Sequence, residues 1–260
     1  MSTERIPTVP ASTSPARERR RHRWVWWLVG IVLLLAVLVV VADIALRAYA
    51  QGQAESEIEE QLPENVEGDV DVSIGGFSFL AQVISGELGE VTLDAPALTV
   101  QGVPIAAHVV ANGVPTDLTK PVGDIRADVS LDQDAVDSVI TLPGDAQLAL
   151  GDGDVSYEGS VELFGVPIGY RVTGTVTASG TDVVIQPQGA ELTQGDSVLD
   201  LGDALQGVAS DPITVCVAQY LPQGVTVQSF DVTTGGATAV LQASDFVVDE
   251  QSLRTLGTCP

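Results

Sequence analysis

One stretch limits what this chain can fold into more than any other: Trp24–Ala42, WVWWLVGIVLLLAVLVVVA, nineteen residues without a charge. A span of about 20 apolar residues matches a bilayer hydrocarbon core of roughly 30 Å. Arg17, Arg19, Arg20, Arg21 and Arg23 precede it, and Trp24, Trp26 and Trp27 stand at that same end. Basic residues stay on the cytoplasmic side and indoles settle at headgroup level, so the N-terminus reads as cytoplasmic and everything after Asp43 as external. A buried core helix does not fit, because the whole circumference is apolar. Ala48-Tyr49-Ala50 has the small-x-small form of a signal-peptidase site, which would make Gln51 a mature N-terminus. A signal peptide's apolar core runs about 7–15 residues, shorter than this one, so the reading adopted is an uncleaved anchor; both readings export the domain. No Cys follows the run closely, which excludes a lipoprotein anchor.

That placement divides the chain. Residues 1–23, with Pro7, Pro10, Pro15 and the Arg cluster, read as a disordered basic cytoplasmic tail. Residues 24–42 read as the transmembrane helix, 43–68 as a juxtamembrane amphipathic helix and linker belonging to the ectodomain, and 69–260 as a β-rich extracytoplasmic domain. The expected location is the plasma membrane, single-pass. Beyond residue 47 the only basic side chains are Lys120, Arg126, Arg171 and Arg254, against 32 carboxylates, a net charge of −28. No basic face exists for nucleic acid or for simple adsorption to anionic lipid. The acidity reads as solubility.

Two cysteines, Cys216 and Cys259, both lie in the exported part, and an even pair in an oxidising compartment reads as a disulfide. It closes a loop of about 44 residues, worth about 4 kcal/mol in the chain-entropy model, and ties down the C-terminus.

Leu46, Ala50, Ala54, Ile58 and Leu62 recur every four residues, a narrow oblique stripe on a helix that Pro63 ends. A solvated stalk is the competing reading for its first half. From Asp69 the texture is strand: Val70, Val72 and Ile74 alternate with polar residues, Gly75-Gly76 turns into Phe77-Ser78-Phe79-Leu80, and Val91, Leu93, Leu98 and Val100 continue the alternation. Gly-Val-Pro-Ile occurs at Gly102–Ile105 and at Gly165–Ile168, each time between strand-like runs, as recurring hairpin chemistry. Asp132 caps a short helix with Val136, Val139 and Ile140 on one face, closed by Pro143-Gly144. Strands resume over 146–150, 154–163, 166–178 and 182–187. A mixed segment follows at 197–208, then strands at 213–219, 225–233 and 237–243, the last two joined at Gly235-Gly236.

This order is a span, an amphipathic helix, a strand ending in Gly-Gly-Phe-Ser-Phe-Leu, hairpins, Cys216…Leu221-Pro222-Gln223-Gly224-Val225, a Gly-Gly hairpin and a terminal Cys259. It resembles the actinobacterial LmeA-like family over most of residues 43–260. The resemblance implies an α+β fold: a curved, mostly antiparallel sheet packed against a long helix and short helices, similar to half of a tubular lipid-binding (TULIP) unit. It also implies phospholipid binding outside the plasma membrane and, for one branch, support of lipoglycan or mannan assembly in the envelope. Val103–Ala111, apolar but for His108 and so apolar on both faces, is compatible with a sheet meeting core on one side and an acyl chain on the other. A strand covered by a helix fits that run equally.

Catalytic chemistry has little to stand on. The two histidines are His22, in the Arg cluster, and His108, which reads as a satisfied core residue; neither a His triad nor a zinc site has its partners. Asp152-Gly153-Asp154 and Asp132-x-Asp134 resemble fragments of calcium loops, but Tyr157 stands where an EF-hand needs its Gly, so they read as turn and cap carboxylates. With five Phe, four Tyr and all three Trp in the anchor, a sugar-stacking cleft is poorly supplied. The expectation is a non-enzymatic protein with no cofactor and no metal, holding phospholipid acyl chains in an apolar groove between the sheet and its helices. The expected wall is Phe77, Phe79, Leu80, Val136, Val139, Ile140 and Phe164. The alternative is a structural domain that binds an envelope protein through its acidic surface.

Overall fold

The computed structural model describes residues 21–61, 66–139, 147–163, 166–194, 197–200 and 212–259. By internal contacts the chain divides into 1–45 and 46–260. In the first unit, helix α1 (Arg21–Gln61) begins, and every side chain from Trp24 to Ala42 is exposed. This part is long and apolar enough to cross a membrane, as an anchor or a signal sequence does. α1 continues as one helix to Gln61, past Gly52, so the segment after the apolar run is not an irregular stalk. In the second unit Arg47, Ala50, Gln51, Ala54, Glu55 and Ile58 are its partly covered positions. They fall at i, i+3, i+4, i+7, i+8 and i+11, the spacing of one helical face. Leu46, expected on that stripe, is exposed.

The larger sheet has the order β1-β3-β4-β5-β13-β12, with β2 also on β3. Its strands are β1 (Val66–Glu67), β2 (Asp71–Ile74), β3 (Glu87–Val100), β4 (Val103–Pro115), β5 (Val122–Asp132), β12 (Thr226–Thr233) and β13 (Gly236–Phe246). All pairings are antiparallel. Period-two alternation sets its faces. Ile125, Ala127, Val129 and Leu131 point one way, and Asp124, Arg126, Asp128 and Ser130 the other. The polar face carries cross-strand bonds: Ser244 Oγ to Asp124 Oδ1 at 2.9 Å, Ser130 with Thr238 at 2.9 Å, and His108 Nδ1 with Asp94 Oδ1. His108 is thus exposed on the water side and paired, not a core residue.

The second sheet has the order β10-β9-β8-β7-β6, with β11 sharing the β9 edge. It comprises β6 (Gln147–Leu150), β7 (Asp154–Leu163), β8 (Val166–Ser179), β9 (Asp182–Gln194), β10 (Ser197–Asp200) and β11 (Ile213–Cys216). The rung Glu158–Arg171–Glu191 crosses three strands on its polar face, and Arg171 Nε donates to Glu158 at 2.7 Å. The two sheets meet at β12, where Val227 N–H donates to Gly180 O at 2.7 Å and Gly153 N–H to Val232 O at 2.9 Å. Register shifts at Ala95/Leu98, Thr173/Gly174 and Val227/Ser229 add the twist that curves the sheets. Both Gly-Val-Pro-Ile prolines sit at strand starts, Pro104 before β5 begins pairing and Pro167 before β9 does. The missing N–H therefore costs no ladder bond there.

Among the described residues three short α-helices punctuate the sheets. α2 (Phe79–Ser85) is capped by Ser78, whose hydroxyl accepts from Ala81 N–H, and ends at Gly86 with φ 85°. This corrects the strand reading of Phe77–Leu80. α3 (Gln133–Val139) begins as expected, Asp132 Oδ1 accepting from Ala135 N–H at 2.7 Å. α4 (Glu250–Arg254) is capped by Asp249. The fold is therefore α+β and mostly antiparallel, as the sequence implies, with two sheets in place of one.

Cys216, at the end of β11, is bonded to Cys259 with Cα atoms 5.9 Å apart. The tail is also stitched by Gln223 N–H to Thr255 O at 2.8 Å and by Gly257 N–H to Leu221 O at 3.0 Å. Replacing both cysteines by Ser is expected to lower the melting temperature by on the order of 10 °C, since about 4 kcal/mol of loop entropy is released. An unchanged melting temperature in a calorimetric comparison would show that the hydrogen bonds alone fix the tail.

Candidate functional site

The register of the larger sheet brings apolar residues from four strands into straight rows. Val91 pairs with Ala111, Ala111 with Ile125, and Ile125 with Ala243; Leu93 pairs with Val109, Val109 with Ala127, and Ala127 with Leu241. These two rungs are the floor of a cavity of about 480 Å³. Val91, Leu93, Val109, Ile125 and Leu241 supply the branched side chains, while Ala111 and Ala127 keep the middle low and Ala243 keeps one end of its rung low. Ile58 of α1, Leu253 of α4, Pro222, Val225, Phe246 and Val248 form its sides, and among the described residues Gln242 is the only polar one in the lining. Such a surface excludes ions and polar ligands, which would lose their hydration without a partner. It suits hydrocarbon.

A third rung on the same face, Ala95–Ala107–Val129–Ala239, leads along the sheet. Beyond it Leu131 and Ala237 line a second cavity of about 370 Å³ with Val136, Leu148, Leu150, Val155, Val176, Val183, Ile185 and Phe230. Among the described residues no large side chain is fully buried.

α4 positions Leu253 against the first cavity. Asp249 Oδ1 accepts from Ser252 N–H at 2.7 Å, and that bond, reinforced by the Ser252 hydroxyl, holds the Asp249 carboxyl below the usual carboxylate range. A carboxyl depressed in the folded state stabilises it above the unfolded pKa, and the contribution is lost as pH falls through the folded one. The cap is therefore intact at neutral pH and released in acid.

Of the residues expected at the groove, Val136 is buried in α3 and lines the second cavity. Phe79 and Leu80 are half-buried on α2, which packs on β3. Phe77 is exposed to solvent. The Val139 side chain, Ile140 and Phe164 fall outside the described residues. The first cavity is instead built from β3, β4, β5 and β13. Its strand residues were visible as alternating runs; their alignment across four strands is a matter of register, which the alternation does not fix. Among the described residues no group of three or more His, Cys, Asp or Glu gathers as metal ligands; Asp132 serves as a helix cap.

A family model described as LmeA-like phospholipid-binding matches residues 41–241. The chain belongs to the LmeA-like phospholipid-binding family. The match covers α1 from Val41 and nearly all of both sheets, the floor rungs included except for Ala243. No curated protein and no solved structure matches the chain.

Ala127→Phe places a ring in the low centre of the floor. The expected outcome is a several-fold loss of binding of a fluorescent fatty-acyl probe with an unchanged circular dichroism spectrum. Arg126→Ala, on the opposite face, is expected to bind as the parent does. Equal binding by Ala127→Phe would remove the first cavity from consideration.

Proposed function

We propose that this protein is a membrane-anchored phospholipid-binding protein of the cell envelope, which holds acyl chains in the groove over β3, β4, β5 and β13. The single observation that carries this reading is the pair of in-register apolar rungs beneath a cavity whose lining, among the described residues, is apolar but for Gln242. Membership of a phospholipid-binding family supports the class of ligand. The second cavity on the same face suits a second acyl chain, so Val136 keeps a place in the wall.

The anchor is Trp24–Ala42, with the Arg cluster inside and residues 43–260 outside. A reporter active only in the cytoplasm, fused after Pro260, is silent in that arrangement; activity would reverse the topology. Retention is the role, with no chemistry on the lipid. Support of lipoglycan or other envelope assembly would follow from supplying lipid at that site.

Burial of a methylene contributes about 0.8 kcal/mol, so two more buried carbons on one chain strengthen binding roughly tenfold until the groove is full. Charge contributes little, because the nearest basic side chains are few and the domain is strongly acidic. Titrating residues 46–260 with phospholipids of increasing chain length at low and high salt is expected to give affinities that follow chain length and ignore salt. Affinities that follow salt and ignore chain length would refute the groove.

A further inference from the structure

The stretch Val72–Gly86 carries no charge, within a region holding 32 carboxylates. It projects three apolar side chains into solvent: Phe77 is 103% exposed, Ile84 85% and Val83 42%. None of the three lines either cavity.

Their backbone is held firmly. Gln82 Nε2 donates to Gly75 O at 3.0 Å, and Gln82 Oε1 accepts from Gly89 N–H at 2.6 Å. Thr116 N–H donates to Gly86 O at 3.0 Å. The Ser78 and Gly86 caps close the helix. Polar groups thus pin the base of a small wedge whose outward side chains are hydrocarbon, and exposure of this kind marks an interaction surface.

One further bond names the partner. Arg47 Nη2 donates to Gly76 O at 2.9 Å, beside Phe77. Arg47 is five residues from Ala42, the last residue of the apolar run. Five residues of chain reach at most about 18 Å, so with that run in a bilayer Gly76 is tethered close to the membrane surface.

We infer that Phe77, Val83 and Ile84 form a wedge that inserts into the outer leaflet of the bilayer, separate from the acyl groove. The partner is a lipid surface and not a protein: Val72–Gly86 itself carries no charge to select a protein, and the chain's own span brings it to lipid. Insertion is driven by hydrocarbon burial, as for interfacial segments, without basic residues. The inference rests on Trp24–Ala42 acting as an anchor and not on the groove.

The test uses the full chain reconstituted in phosphatidylcholine vesicles. Phe77→Cys, which is fully exposed and so leaves the fold intact, is labelled with an environment-sensitive fluorophore. Val198→Cys, an exposed apolar position on β10, is the control. The expected result is a blue-shifted Phe77 label, quenched several-fold more by lipids spin-labelled near the headgroup end of the acyl chain than by aqueous iodide, with the Val198 label showing the opposite. Ile84→Ser in the Phe77→Cys background is expected to weaken that lipid quenching. A Phe77 label quenched by iodide like the control, or shielded from iodide without lipid quenching, would overturn the inference. Repeating the measurement with Ala127→Phe separates the two sites: loss of the groove leaves the lipid quenching of Phe77 unchanged.

Discussion

The structure depends on one alignment, the stacking of apolar side chains in straight rungs across antiparallel strands. A strand puts alternate residues on opposite faces, so a shift of one residue would turn every one of them over. Here the register holds Val91, Ala111, Ile125 and Ala243 in one row and Leu93, Val109, Ala127 and Leu241 in the next. Carboxylates and the few cations fall on the other face, where Asp94 meets His108 and Arg126 meets Asp128 at 3.1 Å. One face is thus committed to water and the other to hydrocarbon. Ile58 of α1 and Leu253 of α4 line the cavity over the apolar face, and that cavity is the groove.

Polar and covalent restraints are placed at the margins of that face. Glu55 Oε1 accepts from Val72 N–H at 3.0 Å and docks α1 on the edge strand β2. The Cys216–Cys259 bond and the Asp249 cap hold the tail that presents Leu253. Ala54 and Ile58 close one end of the core against Val70, Val72 and Ala95. These restraints hold the rim of the apolar face in place.

Much of this was legible in the sequence. A β-rich domain with a few helices, the Asp132 cap and most strands followed from alternation and turn residues, the disulfide from the cysteine count, and the α+β, mostly antiparallel architecture from the family resemblance. The errors came where local signals compete or where contacts are distant. Phe77–Leu80 read as strand because its aromatics are strand formers; Ser78 and Gly86, eight residues apart and able to cap a helix, were the stronger cue. His108 read as core from its apolar neighbours, yet in a strand its immediate neighbours lie on the opposite face, and Asp94 sits directly across from it. The residues read as a groove wall are bulky ones at turns and helices, and Val136 among them lines the second cavity. The floor is made of small and branched residues in mid-strand, where the alanines Ala111, Ala127 and Ala243 are informative only once the pairing is known.

The central claim is that this face holds a lipid. Native mass spectrometry of residues 46–260, purified after contact with a mixed phospholipid extract, tests it most directly. The account predicts a protein population heavier by the mass of one phospholipid, released on activation, and its loss in a folded Ala111→Phe variant. A folded protein that carries no lipid in any preparation, or one whose lipid survives Ala111→Phe unchanged, would contradict it.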